Sequence, residues 1–184
     1  IYWQESAAVL RDVANFARWY TELPMVYNSF VKRTVLDDIS AKLGGKYFCA
    51  QSPDIFSGFM VAMCCPKFVK MRRCLGVAGV SAAANGSNLL APEVKSEIAR
   101  EYVGLNAMEG IALHYTLPNL PNSIPVHVLD CYRKAREFCK SEDRFGAGAD
   151  NVTLANAIFR DLWESSGGQP VPWRDILAKI QASD

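Results

Sequence analysis

The tripeptide Ser52-Pro53-Asp54 constrains this chain more tightly than any other stretch. Proline holds φ near about −65° and has no N–H, so within a helix it fits the first turn and breaks anything deeper. Ser52 before it is a good N-cap residue. Asp54 after it sets a negative charge where the helix dipole favours one by about 0.3–1 kcal/mol. Ahead of this turn, Tyr47-Phe48 reads as a short strand. Behind it, Phe56, Phe59, Met60, Ala62 and Met63 make a buried helical face. That helix must stop before Pro66, because proline disfavours helical geometry in the residue preceding it. Two readings of Asp54 fit these facts: a partner of the helix dipole, or a catalytic base at the mouth of a cleft.

Half of the 184 residues are apolar, enough for a core of one ordinary domain, and the formal charge is +1. A balanced charge without a basic stripe points away from nucleic acid as a partner. The basic residues from Lys67 to Arg73 are interrupted by Phe68, Val69 and Met71, which reads as a solvated loop or helix end. The six cysteines (Cys49, Cys64, Cys65, Cys74, Cys131, Cys139) form no C-x-x-C pair and no zinc spacing with His114 or His127. They are expected to be reduced, which places the protein in the cytoplasm or at the inner face of a membrane. No apolar run is long enough to span a bilayer, so no transmembrane segment is expected. The chain opens on Ile1-Tyr2-Trp3, which reads as a strand entered midway, as in a fragment.

Taken in order, helical spacing of Val9, Leu10, Val13, Phe16, Ala17 and Tyr20 predicts a helix from about Glu5 to Tyr20, ended by Pro24. Met25 to Val31 is rich in strand formers and is expected to be extended. Thr34 can cap a helix to about Leu43, stopped by Gly44-Gly45. Leu75 to Val80 reads as a buried strand, followed by the small, polar Ser81–Asn88. Such a loop either lets backbone approach a ligand or makes a plain surface turn. Helices are then expected over Pro92–Leu105, Val126–Lys140, from Asp150 or Asn151 to Glu164, and from Pro172-Trp173 to about Gln181. Phe145 to Ala149 reads as a loop. Both histidines sit beside apolar residues and read as structural or surface side chains. There is no internal repeat.

The first ninety residues carry a further pattern. Trp19-Tyr20-Thr21-Glu22-Leu23-Pro24-Met25-Val26-Tyr27-Asn28-Ser29-Phe30-Val31 precedes Tyr47-Phe48 and Ser52-Pro53-Asp54-Ile55-Phe56-Ser57-Gly58. Gly76-Val77-Ala78-Gly79-Val80-Ser81 and Asn85-Gly86 follow, and Tyr2-Trp3 opens the series. In this order the elements resemble a subset of bacterial family 2 glycosyltransferases. The resemblance implies an α/β, GT-A-type fold, here a partial one with short strands, followed by a mostly helical C-terminal part. It divides the chain into an acceptor-side portion over residues 1–90 and a helical region over 91–184.

By that resemblance Asp54 stands where the family keeps its general base, and Tyr27, Asn28, Ser52, Phe56, Ser81, Asn85 and Gly86 stand at substrate-binding positions. The activity implied is an inverting transfer of sugar from a nucleotide sugar to a glycan or other hydroxyl acceptor. That family holds a divalent metal, Mn or Mg, through an Asp-x-Asp motif in its donor half. Nothing matching that half occurs here, and Asp37-Asp38 falls inside an amphipathic helix. No metal ligand is therefore assigned. The competing reading, from another class, is a non-catalytic helical scaffold whose amphipathic helices bind a partner protein.

Overall fold

The computed structural model describes residues 1–72, 97–111, 120, 122–140, 142–165 and 173–181. The aromatic opening forms strand β1 (Tyr2–Glu5), and helix α1 (Ser6–Ala14) follows at once. Val9, Leu10 and Val13 recur at helical spacing and are buried. The helix ends earlier than its apolar periodicity predicts. Asn15 Nδ2 donates to the Arg11 carbonyl at 2.8 Å, and Phe16 turns left-handed at φ 57°. The Ala17 and Arg18 amides then donate back to the Asp12 carbonyl at 2.8 and 3.2 Å. A short polar side chain that satisfies the backbone locally ends a helix where periodicity alone would continue it.

Two expected strands are absent. Met25 to Val31 folds as turns, with the Asn28 amide donating to the Met25 carbonyl at 3.0 Å. Tyr47 and Phe48 are exposed and lie outside any strand. Both segments are rich in strand formers, but β-propensity acts only where a neighbouring strand offers a pleated surface to pack on. Conversely, the basic stretch expected as a loop or helix end contains strand β2 (Lys67–Lys70). It pairs antiparallel with β1 in the register Tyr2↔Lys70, Trp3↔Val69, Gln4↔Phe68 and Glu5↔Lys67. An isolated two-stranded ribbon is marginal in water. This one is anchored by Phe68 packing on the core, by the Ser6 amide on the Pro66 carbonyl at 3.0 Å, and by the Lys70–Glu22 ion pair.

Helix α2 (Arg33–Lys42) buries Ile39 and stops at Gly44 and Gly45, both at positive φ, as expected. Its N-cap is Lys32, and Thr34 lies inside the first turn. Helix α3 (Pro53–Cys64) begins at the Ser-Pro-Asp turn, and every residue from Ile55 to Met63 is buried. The remaining described helices are α4 (Glu97–Met108), α5 (Ile124–Cys139), the short α6 (Glu142–Phe145), α7 (Asn151–Ser165) and α8 (Trp173–Gln181). Asp150 caps α7, its Oδ1 accepting the Thr153 amide at 2.8 Å. The expected strand over 75–80 and the Ser81–Asn88 loop lie outside the described residues. What is described is mixed α/β and mostly helical, with one small two-stranded sheet. No described helix is long and apolar enough to cross a membrane.

The core forms where α5 lies against α3. Phe56 meets Phe138 edge-on at 6.1 Å between ring centroids, and Phe59 tilts on Tyr132 at 5.3 Å. The Tyr132 hydroxyl donates to the Gly146 carbonyl at 3.0 Å and to that of Phe145, which ties the α6 end to α5. One continuous core joins α1, α2 and α3 with α5, α7 and α8. Within it Asp130 and Lys134, one helical turn apart, form an ion pair at 3.0 Å with both side chains about 5 % exposed.

Gly58 lets the chain before α2 lie directly on α3. A Cβ there would stand 2.8 Å from both Leu23 Cβ and Met25 Cγ. Gly58→Ala should therefore lower stability by about 1–3 kcal/mol through overpacking, despite the better helix propensity of alanine. Chemical denaturation of the variant checks this; an unchanged or raised stability would mean that the Leu23–Met25 segment is free to move aside.

Candidate functional site

Asp54 is half-buried in the first turn of α3. Its backbone carbonyl accepts the Ser57 hydroxyl at 2.7 Å, and the Ser57 oxygen in turn accepts the Val26 amide at 3.3 Å. This relay pins the turn that follows Pro24 against the helix start. The turn carries Tyr27, and the 3-10 turn before it (Tyr20–Glu22) carries Tyr20. Both phenols feel the Asp54 carboxylate. Burial comes first and the Asp54 charge second in pushing the pKa of each above the ordinary phenol value. Asp161 adds to the effect at Tyr20 and Tyr102 at Tyr27. Near neutral pH both are O–H groups, as an ordinary phenol is, able to donate to a ligand or to a carboxylate.

Further polar groups converge on the same end of α3. Tyr102 of α4 donates its hydroxyl to the Gln51 carbonyl at 2.7 Å. Gln51 is buried, and its side-chain oxygen makes no hydrogen bond among the described residues. Asp161 of α7 accepts the Ile124 amide at 3.0 Å, capping α5; burial raises its pKa, and the amide opposes the rise.

Ser52 occupies the N-cap position of α3, but its hydroxyl does not cap the helix. It pairs with His127 Nδ1 at 2.9 Å, while His127 Nε2 meets Asn122 Oδ1 at 2.7 Å. With a carbonyl oxygen on Nε2, that nitrogen carries the proton and Nδ1 accepts from Ser52. His127 is thus a buried bridge from the start of α5 to the start of α3. Cys131 Sγ adds a weak bond to the Ser52 carbonyl at 3.6 Å.

Of the positions singled out in the sequence, Asp54, Ser52 and Tyr27 gather at the N-terminal end of α3. Asn28 lies beside Tyr27 on the exposed turn and accepts the Ser29 hydroxyl at 3.0 Å. Phe56 is fully buried against Phe138, so it supports the helix from within and presents nothing to a ligand. Ser81, Asn85 and Gly86 lie outside the described residues. Sequence reading missed Tyr20, Tyr102, Asp161, Asn122 and the role of His127. Tyr20 has a visible signal, an amphipathic ring at the end of an apolar series. The others lie dozens of residues from Asp54, and no local pattern links them to it. Among the described residues, no cluster of three or more His, Cys, Asp or Glu side chains could hold a metal. Asp37 of α2 pairs instead with Arg33 at 2.8 Å.

His127→Ala removes the bridge between α5 and Ser52. Stability should fall by about 1–3 kcal/mol, the usual cost of stranding buried hydrogen-bonding groups. Urea unfolding measures it, and a loss under about 0.5 kcal/mol would mean that the bridge does not hold the two helix starts together. No known protein family, curated protein or solved structure matches this chain, so the reading of the cluster at Asp54 rests on its own residues.

Proposed function

We propose that the cluster around Asp54 is the acceptor end of a sugar-transfer site of the GT-A, family 2 type, with Asp54 as the general base. The observation that carries this reading is a half-buried carboxylate at the start of α3, flanked by the neutral phenols Tyr20 and Tyr27. Aromatic rings with hydroxyl tips suit a sugar acceptor, because they offer an apolar face and a hydrogen bond together. The buried Gln51 oxygen supplies a further hydrogen-bond acceptor close by.

In the proposed reaction Asp54 takes the proton of the acceptor hydroxyl. The oxygen then attacks the anomeric carbon of a nucleotide sugar from the face opposite the diphosphate. The carbon–oxygen bond to the diphosphate breaks, and the configuration inverts. Mn or Mg would neutralise charge on the leaving diphosphate, and no residue of this chain is assigned to hold it. Asp54 acts only on the acceptor; Tyr20 and Tyr27 orient it.

A second reading, a helical protein-interaction domain, is favoured by one observation, the predominance of helix over strand among the described residues. One variant separates the two. In the polypeptide together with a donor half, Asp54→Asn should cut the transfer rate by about 10²–10⁴, the usual contribution of a positioned base. The fold should survive, with a stability loss of about 0.3–1 kcal/mol from the altered helix start. Wild-type transfer by Asp54→Asn would end the assignment of the base. Absence of any transfer by the parent protein, with no rise in its melting midpoint on adding nucleotide sugars with Mn or Mg, would favour the interaction domain.

A further inference from the structure

The C-terminal end of α3 carries a second feature, separate from the first. Cys64, the last residue of the helix, lies about 15 Å along its axis from Asp54 at the helical rise per residue. There a cavity of about 650 Å³ opens between α2, α3, α5 and α6, lined among others by Asp38, Lys42, Cys64, Cys139, Arg144 and Phe145. The Cys64 and Cys139 side chains, one from each of the two central helices, both line this cavity. The Cys139 thiol donates weakly to Met60 Sδ at 3.8 Å, one turn before Cys64.

The pair is electrically unequal. Cys139 beside it lowers the Cys64 pKa to about 7, Lys42 assists, and burial and Asp38 oppose. Cys139 is pushed up, first by Cys64 beside it and then by burial. The other described cysteines differ from Cys64. Cys65 is raised by burial and then by the Cys64 charge; Cys49 and Cys131 are raised chiefly by burial. Reactivity in thiol exchange follows the thiolate, and the best attacking thiol has a pKa near the ambient pH. The described charged groups around the cavity are Lys42 and Arg144 against the single carboxylate of Asp38, a balance that favours an anion. Arg144 lies over the Phe145 ring, 4.8 Å from its centroid, which places the guanidinium at the cavity wall.

We propose that Cys64 and Cys139 form a dithiol site that reduces small anionic disulfides, with Cys64 as the attacking thiol and Cys139 as the resolving one. The Cys64 thiolate attacks one sulfur of the small disulfide. That S–S bond breaks, a Cys64 mixed disulfide forms, and the first small thiolate leaves and takes a proton. Loss of the Cys64 charge frees Cys139 to ionise. Its thiolate attacks the Cys64 sulfur and expels the second small thiolate, which takes up the Cys139 proton. The two protein thiols are oxidised by two electrons to one disulfide joining α3 to α5, and the small disulfide is reduced to two thiols. The site is independent of the sugar-transfer reading, since Asp54 takes no part in it.

The test uses the reduced full chain with oxidised glutathione, an anionic disulfide, and with neutral 2-hydroxyethyl disulfide, followed by peptide mapping in the mass spectrometer. The expected end product is a disulfide between Cys64 and Cys139, with release of two glutathione molecules. Cys139→Ser should stop at a glutathione adduct on Cys64, and Cys64→Ser should leave Cys139 unmodified. The attack rate should rise to its half-maximum at about pH 7. Lys42→Gln should slow the anionic disulfide several-fold and leave the neutral one unchanged. First reaction at any other cysteine in the unmutated chain, which needs no variant to fold, would overturn the dithiol. Equal rates for the two disulfides, with no effect of Lys42→Gln, would overturn the preference for an anion.

Discussion

Burial of α3 on all sides is the constraint on which the rest of the molecule depends. Every residue of it from Ile55 to Met63 is buried. A helix apolar all round cannot stand at a surface, so other elements must cover each of its faces. Here α1, α2 and α5 do so, together with the Leu23–Met25 segment over Gly58. Each buried large side chain contributes about 1.5–3 kcal/mol. Phe56, Phe59 and Met60 are all fully buried, so the sum over this helix outweighs any single polar contact in the molecule.

A helix sealed along its length can meet ligands only at its ends, and both candidate chemistries lie there. The N-terminal end carries Asp54 where the dipole favours negative charge, and Ser52 is held by His127. At the opposite end a thiol has its neighbours, Cys139 and Lys42, arranged to stabilise a thiolate. The dipole there disfavours an anion, so the influence of Cys139 and Lys42 has to outweigh it. The rigidity of α3 and its packing on α5 hold each cluster in place, because α5 supplies His127 to one end and Cys139 to the other.

Element types in the strongly periodic segments were legible from residues alone. The Ser-Pro-Asp start of α3, the Gly44-Gly45 stop of α2 and the spacing within α5 all rest on local backbone chemistry. Strands fared worse because a strand is a property of two segments. Met25–Val31 and Tyr47-Phe48 have strand composition but no partner, whereas Lys67–Lys70 has weak composition and pairs with β1. Likewise Ser52 has the right side chain for an N-cap, yet the hydroxyl is taken by a histidine from another helix.

The sequence by itself determined where the central helix begins, that it buries Phe56, Phe59, Met60, Ala62 and Met63, and that Asp54 stands in its first turn. These follow from proline geometry and from the count of apolar residues, which need no knowledge of neighbours. Only the tertiary structure decided what surrounds the two ends of that helix. Tyr20, Tyr102 and His127 reach one end, and Cys139, Lys42 and Arg144 the other, from segments far apart in the chain. Hydrogen bonds and charge interactions depend on separation in space, which is set only once α5 has packed on α3.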